Sequence, residues 1–260
     1  MDRSKVTEKY TDYDDRLLAN KILDSVEYCE KNFTYKATTF LDPRQQKLVE
    51  GLLQREKSIK YYTESGIEDS ERKLYIIFNE DYDEEGIEKQ YQILEFSWYS
   101  KSIKKPSHRD FLGSIIGAGI KREMLGDIIL EEDKAFVVCS KEVSEYILFN
   151  IEKVGSLPVK AQVVEQAGII QEKEKTINTT VASLRLDGII SAGFGLSRTK
   201  AAELIKSGRV RINWEEKDVT SKVIKQGDVI SIRGKGRIIL EEIAGNTKKD
   251  KIRIVIKKFV

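Results

Sequence analysis

The stretch LSRTKAAELIKSGRVRIN, residues 196–213, decides the fold in the last third of this 260-residue chain. Ser197 is a typical N-cap residue and Gly208 a typical helix stop, so a helix is predicted from Arg198 to Ser207. After the glycine, apolar and polar residues alternate, which predicts a strand from Val210 to Trp214. The stretch therefore indicates a compact unit in which a short helix turns directly into a strand.

Around this stretch the sequence predicts one more helix and three more strands. The helix runs from Val181 to Ile190 and is followed by the glycine-rich turn 191–195. The strands are predicted at Val229 to Arg233, Arg237 to Ile243 and Lys251 to Phe259, with glycine-containing turns before the first two. Two helices followed by strands are thus expected from about residue 178 onward.

Basic side chains recur where this unit exposes helix ends, turns and the polar face of a strand. A helix N-terminus offers free N–H groups and the positive end of a dipole, so Ser197 and Arg198 can bind a phosphate. Glycines on either side let a sugar-phosphate backbone approach closely. The predicted RNA-binding residues are Arg185, Ser197, Arg198, Lys200, Lys206, Arg209, Arg211, Asn213, Lys235 and Arg237.

The charge distribution agrees with a polyanion partner. The formal net charge is only +2, yet residues 178–260 hold 18 Lys and Arg against 9 Asp and Glu, which is +9. Residues 1–177 hold the remaining 27 basic and 34 acidic residues, which is −7. Such asymmetry suggests a nucleic acid as the partner of the basic part.

The first seventy residues read as helical. Apolar residues recur at three- and four-residue steps between Leu17 and Val26, which predicts one helix. Asp42, Pro43 and Gln45 form the capping-box pattern at the start of a second helix. We therefore predict a helical N-terminal region over residues 1–70.

The middle of the chain alternates strands and helices. A strand is predicted at Leu74 to Phe78, and from Ile93 onward the order is β-α-β-β-α-β, the RRM-like or ferredoxin-like arrangement. Its parts are a strand from Ile93 to Trp98, a helix from Ser107, a hairpin between Ile128 and Cys139, a helix from Lys141 to Lys153 and a strand from Val159 to Val164. With a linker at 171–176, the predicted domains of this α+β protein are 1–70, 71–174 and 175–260.

Composition excludes several function classes. Cys29, Cys139 and the single His108 cannot supply a disulfide framework, a zinc site or a hydrolytic triad. No window is apolar enough to span a membrane, and Met1 to Lys5 open a charged stretch unlike a secretion signal. We therefore expect a cytoplasmic protein with no metal, no cofactor and no membrane partner.

One motif in the middle domain matches the catalytic loop of protein kinases only in part. His108-Arg109-Asp110 matches the kinase catalytic triplet, but Ile115 stands where that loop needs asparagine. Asp110 fits better as the capping-box partner of Ser107. The triplet and two basic residues further on are predicted to form a second possible contact surface, which comprises His108, Arg109, Asp110, Lys121 and Arg122. Phe136 is the one candidate on the middle sheet for stacking on an RNA base.

In its last third the sequence resembles the S4-type (α-L) RNA-binding domain. The resemblance rests on 196–213, on Gly227-Asp228-Val229-Ile230 and on Arg233-Gly234-x-Gly236-Arg237. It implies an α-α-turn-β motif that binds structured ribosomal or transfer RNA. It also implies that the RNA-facing side chains are Arg198, Lys200, Lys206, Arg209 and Arg211.

The rest of the chain resembles the YlmH-like bacterial S4-domain proteins. The resemblance rests on the segments 65–73, 108–113, 117–123 and 126–128, although Ser65-Gly66 and Asp69-Ser70 depart from the family pattern. It implies a non-catalytic binder of the large ribosomal subunit, which acts on stalled subunits that still hold peptidyl-tRNA, from a family linked to cell-division gene clusters. We expect the protein to be a monomer.

Two other functions stay open on sequence. Pseudouridine synthases carry S4-type domains and have Arg-Leu-Asp-x-x-Thr at their catalytic aspartate, and this chain has Arg185-Leu186-Asp187 but Ile190 at the threonine position. An RNA-modifying enzyme could instead use the surface around His108 and Lys121. A protein adaptor whose basic end anchors it to RNA is the third possibility.

Overall fold

The computed structural model describes residues 9–68, 70–99, 105–167 and 174–259. The chain divides into two compact units, residues 1–170 and 171–260. The charged start of the chain and Asp69 lie outside the described residues, as do the first three positions of the predicted linker. The last three linker positions, 174–176, are not a linker, because they begin a strand.

The first unit opens with two capped helices. Helix α1 (Tyr13–Asn32) buries Ala19, Ile22, Val26 and Cys29, one residue per turn along a single face. Helix α2 (Pro43–Leu53) has the predicted capping box, in which Asp42 accepts from the Gln45 N–H and the Gln45 side chain accepts from the Asp42 N–H. Both predicted helices of this region are confirmed.

The prediction of a purely helical N-terminal region was incomplete. Strands β1 (Tyr35–Ala37), β2 (Ile59–Glu64) and β3 (Leu74–Asn79) form an antiparallel sheet in the order β1-β3-β2. All six residues of β3 are buried, because neighbouring strands and α1 cover it. The predicted boundary at 70/71 therefore separates β3 from the sheet to which it belongs; the alternation of short β1 and β2 was too brief to detect.

The middle of the first unit has the predicted β-α-β-β-α-β order. It comprises β4 (Tyr91–Ser97), α3 (His108–Gly117), β5 (Leu125–Leu130), β6 (Lys134–Ser140), α4 (Lys141–Asn150) and β9 (Lys160–Val164). The strands pair antiparallel in the order β5-β6-β4-β9, as in ferredoxin-like sheets. Helix α4 ends three residues earlier than predicted, and a small hairpin of β7 (Lys153–Val154) and β8 (Leu157–Pro158) follows it.

The second unit is a six-stranded sheet with two helices on one face. Its elements are β10 (Glu174–Val181), α5 (Leu186–Phe194), α6 (Arg198–Lys206), β11 (Val210–Ile212), β12 (Glu215–Glu216), β13 (Val229–Ile232), β14 (Gly236–Asn246) and β15 (Ile252–Phe259). The strand order is β10-β15-β14-β13-β11-β12. Strand β10 was not predicted; the helix expected from Val181 begins only at Leu186.

Helices and sheet of the second unit share one apolar core. Leu186, Ile189 and Ile190 from α5 and Ala201, Leu204 and Ile205 from α6 pack against alternate residues of the strands. Gly193 lets α5 approach the sheet closely, because a Cβ there would lie 2.5 Å from Ile238 Cδ1. The core therefore faces the helices, and every second strand residue points to the opposite, outer face of the sheet.

Candidate RNA-binding surface

A carboxylate shared by two arginines marks the corner between α5 and α6. Nε and Nη2 of Arg185 donate to the two carboxylate oxygens of Asp187, each at 3.2 Å. Arg198 Nη2 lies 3.8 Å from Asp187 Oδ1, and the Gly188 N–H donates to the same oxygen at 2.8 Å. Burial raises the pKa of Asp187, but these donors and cations outweigh it, so the pKa lies below its ordinary value.

Asp187 thus stays ionised and positions two guanidinium groups without removing them from solvent. The Arg185 side chain is 42% exposed and that of Arg198 is 54% exposed. Ion pairs that are exposed to this degree are weak, because water screens them. A phosphate can therefore contact either arginine while Asp187 holds that arginine in place.

The N-terminus of α6 lies next to this corner. Ser197 Oγ accepts a hydrogen bond from the Lys200 N–H at 3.2 Å, which confirms the predicted cap. The Lys200 ammonium group is exposed and lies 2.8 Å from the Glu203 carboxylate, one turn further on. Arg185, Ser197, Arg198 and Lys200 are therefore brought together, and we call them the helix corner.

A second group of cations lies where β13 turns into β14. The Arg233 N–H donates to the Arg209 carbonyl at 2.9 Å, which places these two residues side by side. Arg209, Arg233 and Lys235 are exposed and make no ion pair within the described part of the chain. We call these three residues the loop-end cluster. Arg233 was missing from the predicted set, although it stands next to the glycine of a turn, where an exposed side chain is expected.

Two predicted residues lie on the other face of the sheet. Val210 and Ile212 point into the core, so Arg211 between them points to the outer face. Arg237 precedes the core residue Ile238 and also points outward, where its guanidinium lies 4.2 Å from the centre of the Phe259 ring. Burial lowers the pKa of Arg237. The predicted set therefore does not form one surface, and Arg237 is corrected to a residue packed against the protein.

The predicted role of Asn213 is also corrected. Its amide nitrogen donates to Asp228 Oδ1 at 2.9 Å, and its amide oxygen accepts from the Val229 N–H at 3.0 Å. Its φ of 50° lies in the left-handed region, where asparagine is one of the better tolerated residues. With both ends of the amide engaged, Asn213 has a structural role in the turn after β11.

The second predicted contact surface, in the first unit, is only partly a surface. Asp110 accepts from the Ser107 N–H at 2.9 Å while the Asp110 N–H donates to Ser107 Oγ, so the capping box is confirmed. Arg109 and Lys121 are exposed. His108 is exposed at the start of α3, and surrounding protein and the charge of Arg122 lower its pKa. Arg122 is different, because its guanidinium is engaged inside the unit.

Arg122 belongs to an internal cluster with Arg72 and Asp127. Arg122 Nη1 donates to the carbonyls of Leu125 and Gly126 at 2.7 and 3.1 Å. Burial, followed by the charge of Arg72, lowers the pKa of Arg122 to about 10. Arg122 is therefore corrected from a contact residue to a structural one.

Phe136 of the middle sheet is not accessible to an RNA base. The Phe136 side chain is 2% exposed and packs with Phe40, Ile67 and Leu74 of the N-terminal region. The opposite face of the same sheet packs on α3 and α4. Since both faces are covered at this position, the candidate Phe136 is not accessible for stacking on an RNA base, in line with a scaffold role for this sheet.

The two cysteine thiols are not suited to act as nucleophiles. Burial raises the pKa of Cys29 to about 11 and that of Cys139 to about 12, so both thiols are protonated and poor nucleophiles. The described residues include no cluster of three or more side chains suited to hold a metal ion. Among the helices that the structure describes, none has both the length and the hydropathy needed to cross a membrane.

Comparison with known proteins gives two matching family models. The first, described as "Putative RNA-binding domain in YlmH", matches residues 87–167, and the S4 domain matches residues 184–230. The "Ribosome-associated protein quality control protein P2" of Bacillus subtilis (strain 168) is 30% identical over 248 residues, 94% of this chain and 95% of that protein. The chain belongs to the YlmH family.

Two further matches cover only part of the chain. The small ribosomal subunit protein uS4 of Thermoanaerobacter sp. (strain X514) is 41% identical over 54 residues, 20% of this chain and 26% of that protein. Among solved structures, the "Cell division protein ylmH" of Streptococcus pneumoniae matches with a TM-score of 0.48 and 19% identity, over 60% of this chain and 93% of that chain. The S4 family model covers α5, α6 and β11 and ends within β13, before β14 begins.

Proposed function

We propose that this YlmH-family protein binds structured ribosomal and transfer RNA on the large ribosomal subunit, without catalysis, during the rescue of stalled subunits that hold peptidyl-tRNA. Its relative in Bacillus subtilis is named as a ribosome-associated quality control protein, which supports the ribosome as the site of action. Such a role would place the protein in the cytoplasm, and we propose that it acts as a monomer.

The observation that carries the proposal is the helix corner. Arg185 and Arg198 are fixed by Asp187 yet remain about half exposed, directly beside the N-terminus of α6. A phosphate at this position would meet two guanidinium groups and the positive end of a helix dipole. The motif that builds the corner lies inside the matched S4 domain.

The same geometry speaks against catalysis at Asp187. A catalytic carboxylate needs an open face toward its substrate, and this one receives three hydrogen bonds, from the Arg185 side chain and the Gly188 N–H. Its pKa is lowered, which suits a fixed anion better than a proton-transferring group. The two buried thiols offer no nucleophile in its place.

Removal of two cations from α6 tests the proposal. Arg198→Ala combined with Lys206→Ala should weaken binding to purified large-subunit ribosomal RNA about tenfold or more, at about 1 kcal/mol per lost phosphate contact. Filter binding with the full chain measures this. Wild-type affinity in the double variant would contradict the proposal.

Two further measurements separate the alternative functions. Sedimentation of cell extracts should place the protein with large subunits, and this association should be lost in the double variant. Mass analysis of RNA from cells with and without the protein should show no difference in base modification. A modification that disappears with the protein would favour the RNA-modifying enzyme, and association that survives nuclease treatment would favour the protein adaptor.

A further inference from the structure

The long hairpin at the end of the second unit is unpaired along most of the outer edge of its first strand. Strand β14 pairs with β13 only from Gly236 to Ile239, whereas β15 pairs with β10 along its whole length, from Phe259 to Ile252. From Ile239 to Asn246, β14 continues for about 20 Å, at about 3.3 Å per residue, with no strand on its outer edge. The turn at its end lies outside the matched S4 domain.

The tip of this hairpin concentrates positive charge. Lys248, Lys249, Lys251 and Arg253 surround one carboxylate, Asp250, and all five residues are exposed. The three lysines make no ion pair within the described residues. We call Lys248, Lys249, Lys251 and Arg253 the hairpin-tip cluster.

The excess of positive charge is confined to the tip of the hairpin and does not extend along its strands. Lys257 in β15 lies 3.7 Å from the Glu174 carboxylate and 3.3 Å from the Glu241 carboxylate. The neighbouring strands thus supply carboxylates for a cation in the middle of the sheet. Within the part of the chain that the structure describes, no carboxylate pairs with the tip lysines. Their like charges therefore repel each other without compensation.

The turn that carries the lysines is ordered by its own hydrogen bonds. Thr247 Oγ1 accepts from the N–H groups of Lys249 and Lys251 at 3.3 and 3.1 Å. The Thr247 N–H donates to the Lys251 carbonyl at 2.7 Å, and Arg253 Nη2 donates to the Asn246 carbonyl at 3.0 Å. The lysine backbone positions are therefore set before any ligand binds, which reduces the ordering entropy lost on binding.

The hairpin-tip and loop-end clusters lie at opposite ends of β14. The loop-end cluster adjoins Gly236, where β14 begins, and the tip follows Asn246, where β14 ends. Strand β14 has eleven residues and two register irregularities against β15, so the two clusters are separated by roughly 25–30 Å. Double-stranded RNA-binding domains make contacts of comparable reach, since they touch two successive minor grooves along one helix.

We propose that the hairpin-tip cluster is a second RNA-contact site, which binds backbone phosphates of a helical RNA segment roughly 25–30 Å from those bound at the loop-end cluster. This inference rests on the proposed RNA-binding function. The α-α-turn-β motif would select the RNA, and the hairpin would add contacts to its backbone that carry no sequence information.

The experiment measures the binding of five forms of the full-length protein, the wild type and four variants, to deproteinised large-subunit ribosomal RNA over a series of KCl concentrations. The tip variant is Lys248→Ala with Lys249→Ala and Lys251→Ala. The helix variant is Arg198→Ala with Lys206→Ala. The matched control removes three exposed, unpaired lysines of the N-terminal region, by Lys21→Ala, Lys47→Ala and Lys60→Ala.

The tip variant should weaken binding about tenfold and lower the slope of log K against log salt by about two to three, at about 0.7 to 0.9 per lost phosphate contact. Hydroxyl-radical footprinting should lose one protected RNA stretch and keep another. The charge-preserving variant Lys248→Arg with Lys249→Arg and Lys251→Arg should bind like wild type. Unchanged circular dichroism would show that the fold is intact, as expected for side chains without contacts.

The outcomes distinguish this inference from the proposed function. Wild-type affinity and slope in the tip variant, while the helix variant binds weakly, would overturn the hairpin-tip site and leave the proposed function standing. Wild-type binding by the helix variant would overturn the proposed function whatever the tip variant does. An equal loss in the control variant would show a general charge effect, and would also overturn the hairpin-tip site.

Discussion

Each of the two units contains a cluster of one aspartate and two arginines, and the two clusters have opposite roles. In the first unit, Asp127 lies among Arg72 and Arg122; in the second, Asp187 lies between Arg185 and Arg198. The composition is the same, yet the first cluster is directed inward and the second outward. The difference lies in what the guanidinium groups bind and how much water reaches them.

The inward cluster joins the N-terminal region to the middle sheet. Arg72 Nε donates to the Leu125 carbonyl at 3.0 Å, and its Nη2 donates to the Phe40 carbonyl. Asp127 accepts from the N–H groups of Glu71 and Arg72 at 2.6 and 3.3 Å. Burial raises the pKa of Asp127, although the arginines partly oppose this. Here the charged groups are hydrogen-bonded to backbone atoms of the unit itself, those of Phe40, Glu71, Arg72 and Leu125.

The largest expected effect is the loss of this junction. Arg72→Ala should lower the free energy of unfolding of the first unit by about 3 kcal/mol, because it removes a buried cation next to the buried Asp127 carboxylate and leaves the Phe40 carbonyl without its guanidinium donor. Urea unfolding followed by Trp98 fluorescence, in a Trp214→Phe background, measures this unit alone. The exposed Arg55→Ala is the control and should change stability by less than about 0.5 kcal/mol. A loss below about 1 kcal/mol for Arg72→Ala would show that the inward cluster is no more than a surface ion pair.

The outward cluster should respond to pH in a defined direction. Because the folded-state pKa of Asp187 lies below its ordinary value, the stability it contributes is fully present above the unfolded pKa of about 4 and is lost as the pH falls through the folded pKa. Asp187→Asn should therefore cost about 1 kcal/mol at neutral pH and almost nothing in strong acid.

Fluorescence of Trp214, in a Trp98→Phe background, measures this loss in the second unit. The exposed Asp218→Asn serves as the matched control and should leave stability within about 0.5 kcal/mol of wild type. A cost for Asp187→Asn that stays constant down to acid pH would mean that shape, and not charge, holds the helix corner.

Local signals in the sequence predicted much of the fold. The capping boxes at Asp42 and Ser107 and the cap at Ser197 each depend on residues within three positions, and all three are confirmed. The β-α-β-β-α-β order followed from the spacing of strands and helices. These features are encoded locally, so one sequence suffices to find them.

Some of the features that the sequence did not predict depend on neighbours distant in the chain, and others on side-chain contacts that no pattern shows. Alternation placed Arg211 away from the core, but only the sheet shows that this is also away from the helices. Phe136 is buried against residues of the N-terminal region, whose own strands were missed. The guanidinium of Arg122 is engaged by the Leu125 and Gly126 carbonyls, which the sequence pattern does not show. The hairpin-tip cluster was overlooked because Lys248 and Lys249 fall between two predicted strands. That turn is organised by Thr247 Oγ1, which accepts hydrogen bonds from the N–H groups two and four positions further along the chain.

The smallest expected effect on stability belongs to Arg198 in the outward cluster. Its guanidinium lies 3.8 Å from Asp187 and is more than half exposed, so Arg198→Ala should change the free energy of unfolding of the second unit by less than about 0.5 kcal/mol. The same substitution alone should weaken binding to large-subunit ribosomal RNA about fivefold, because one charge-assisted phosphate contact is lost. Arg72→Ala should show the reverse, with a large loss of stability and unchanged affinity for RNA in the fraction that remains folded. Unfolding by Trp214 fluorescence and filter binding on the same preparations measure both quantities. If Arg198→Ala destabilised its unit as much as Arg72→Ala does, Arg198 would be a structural residue, and the contrast between an inward and an outward cluster would fail.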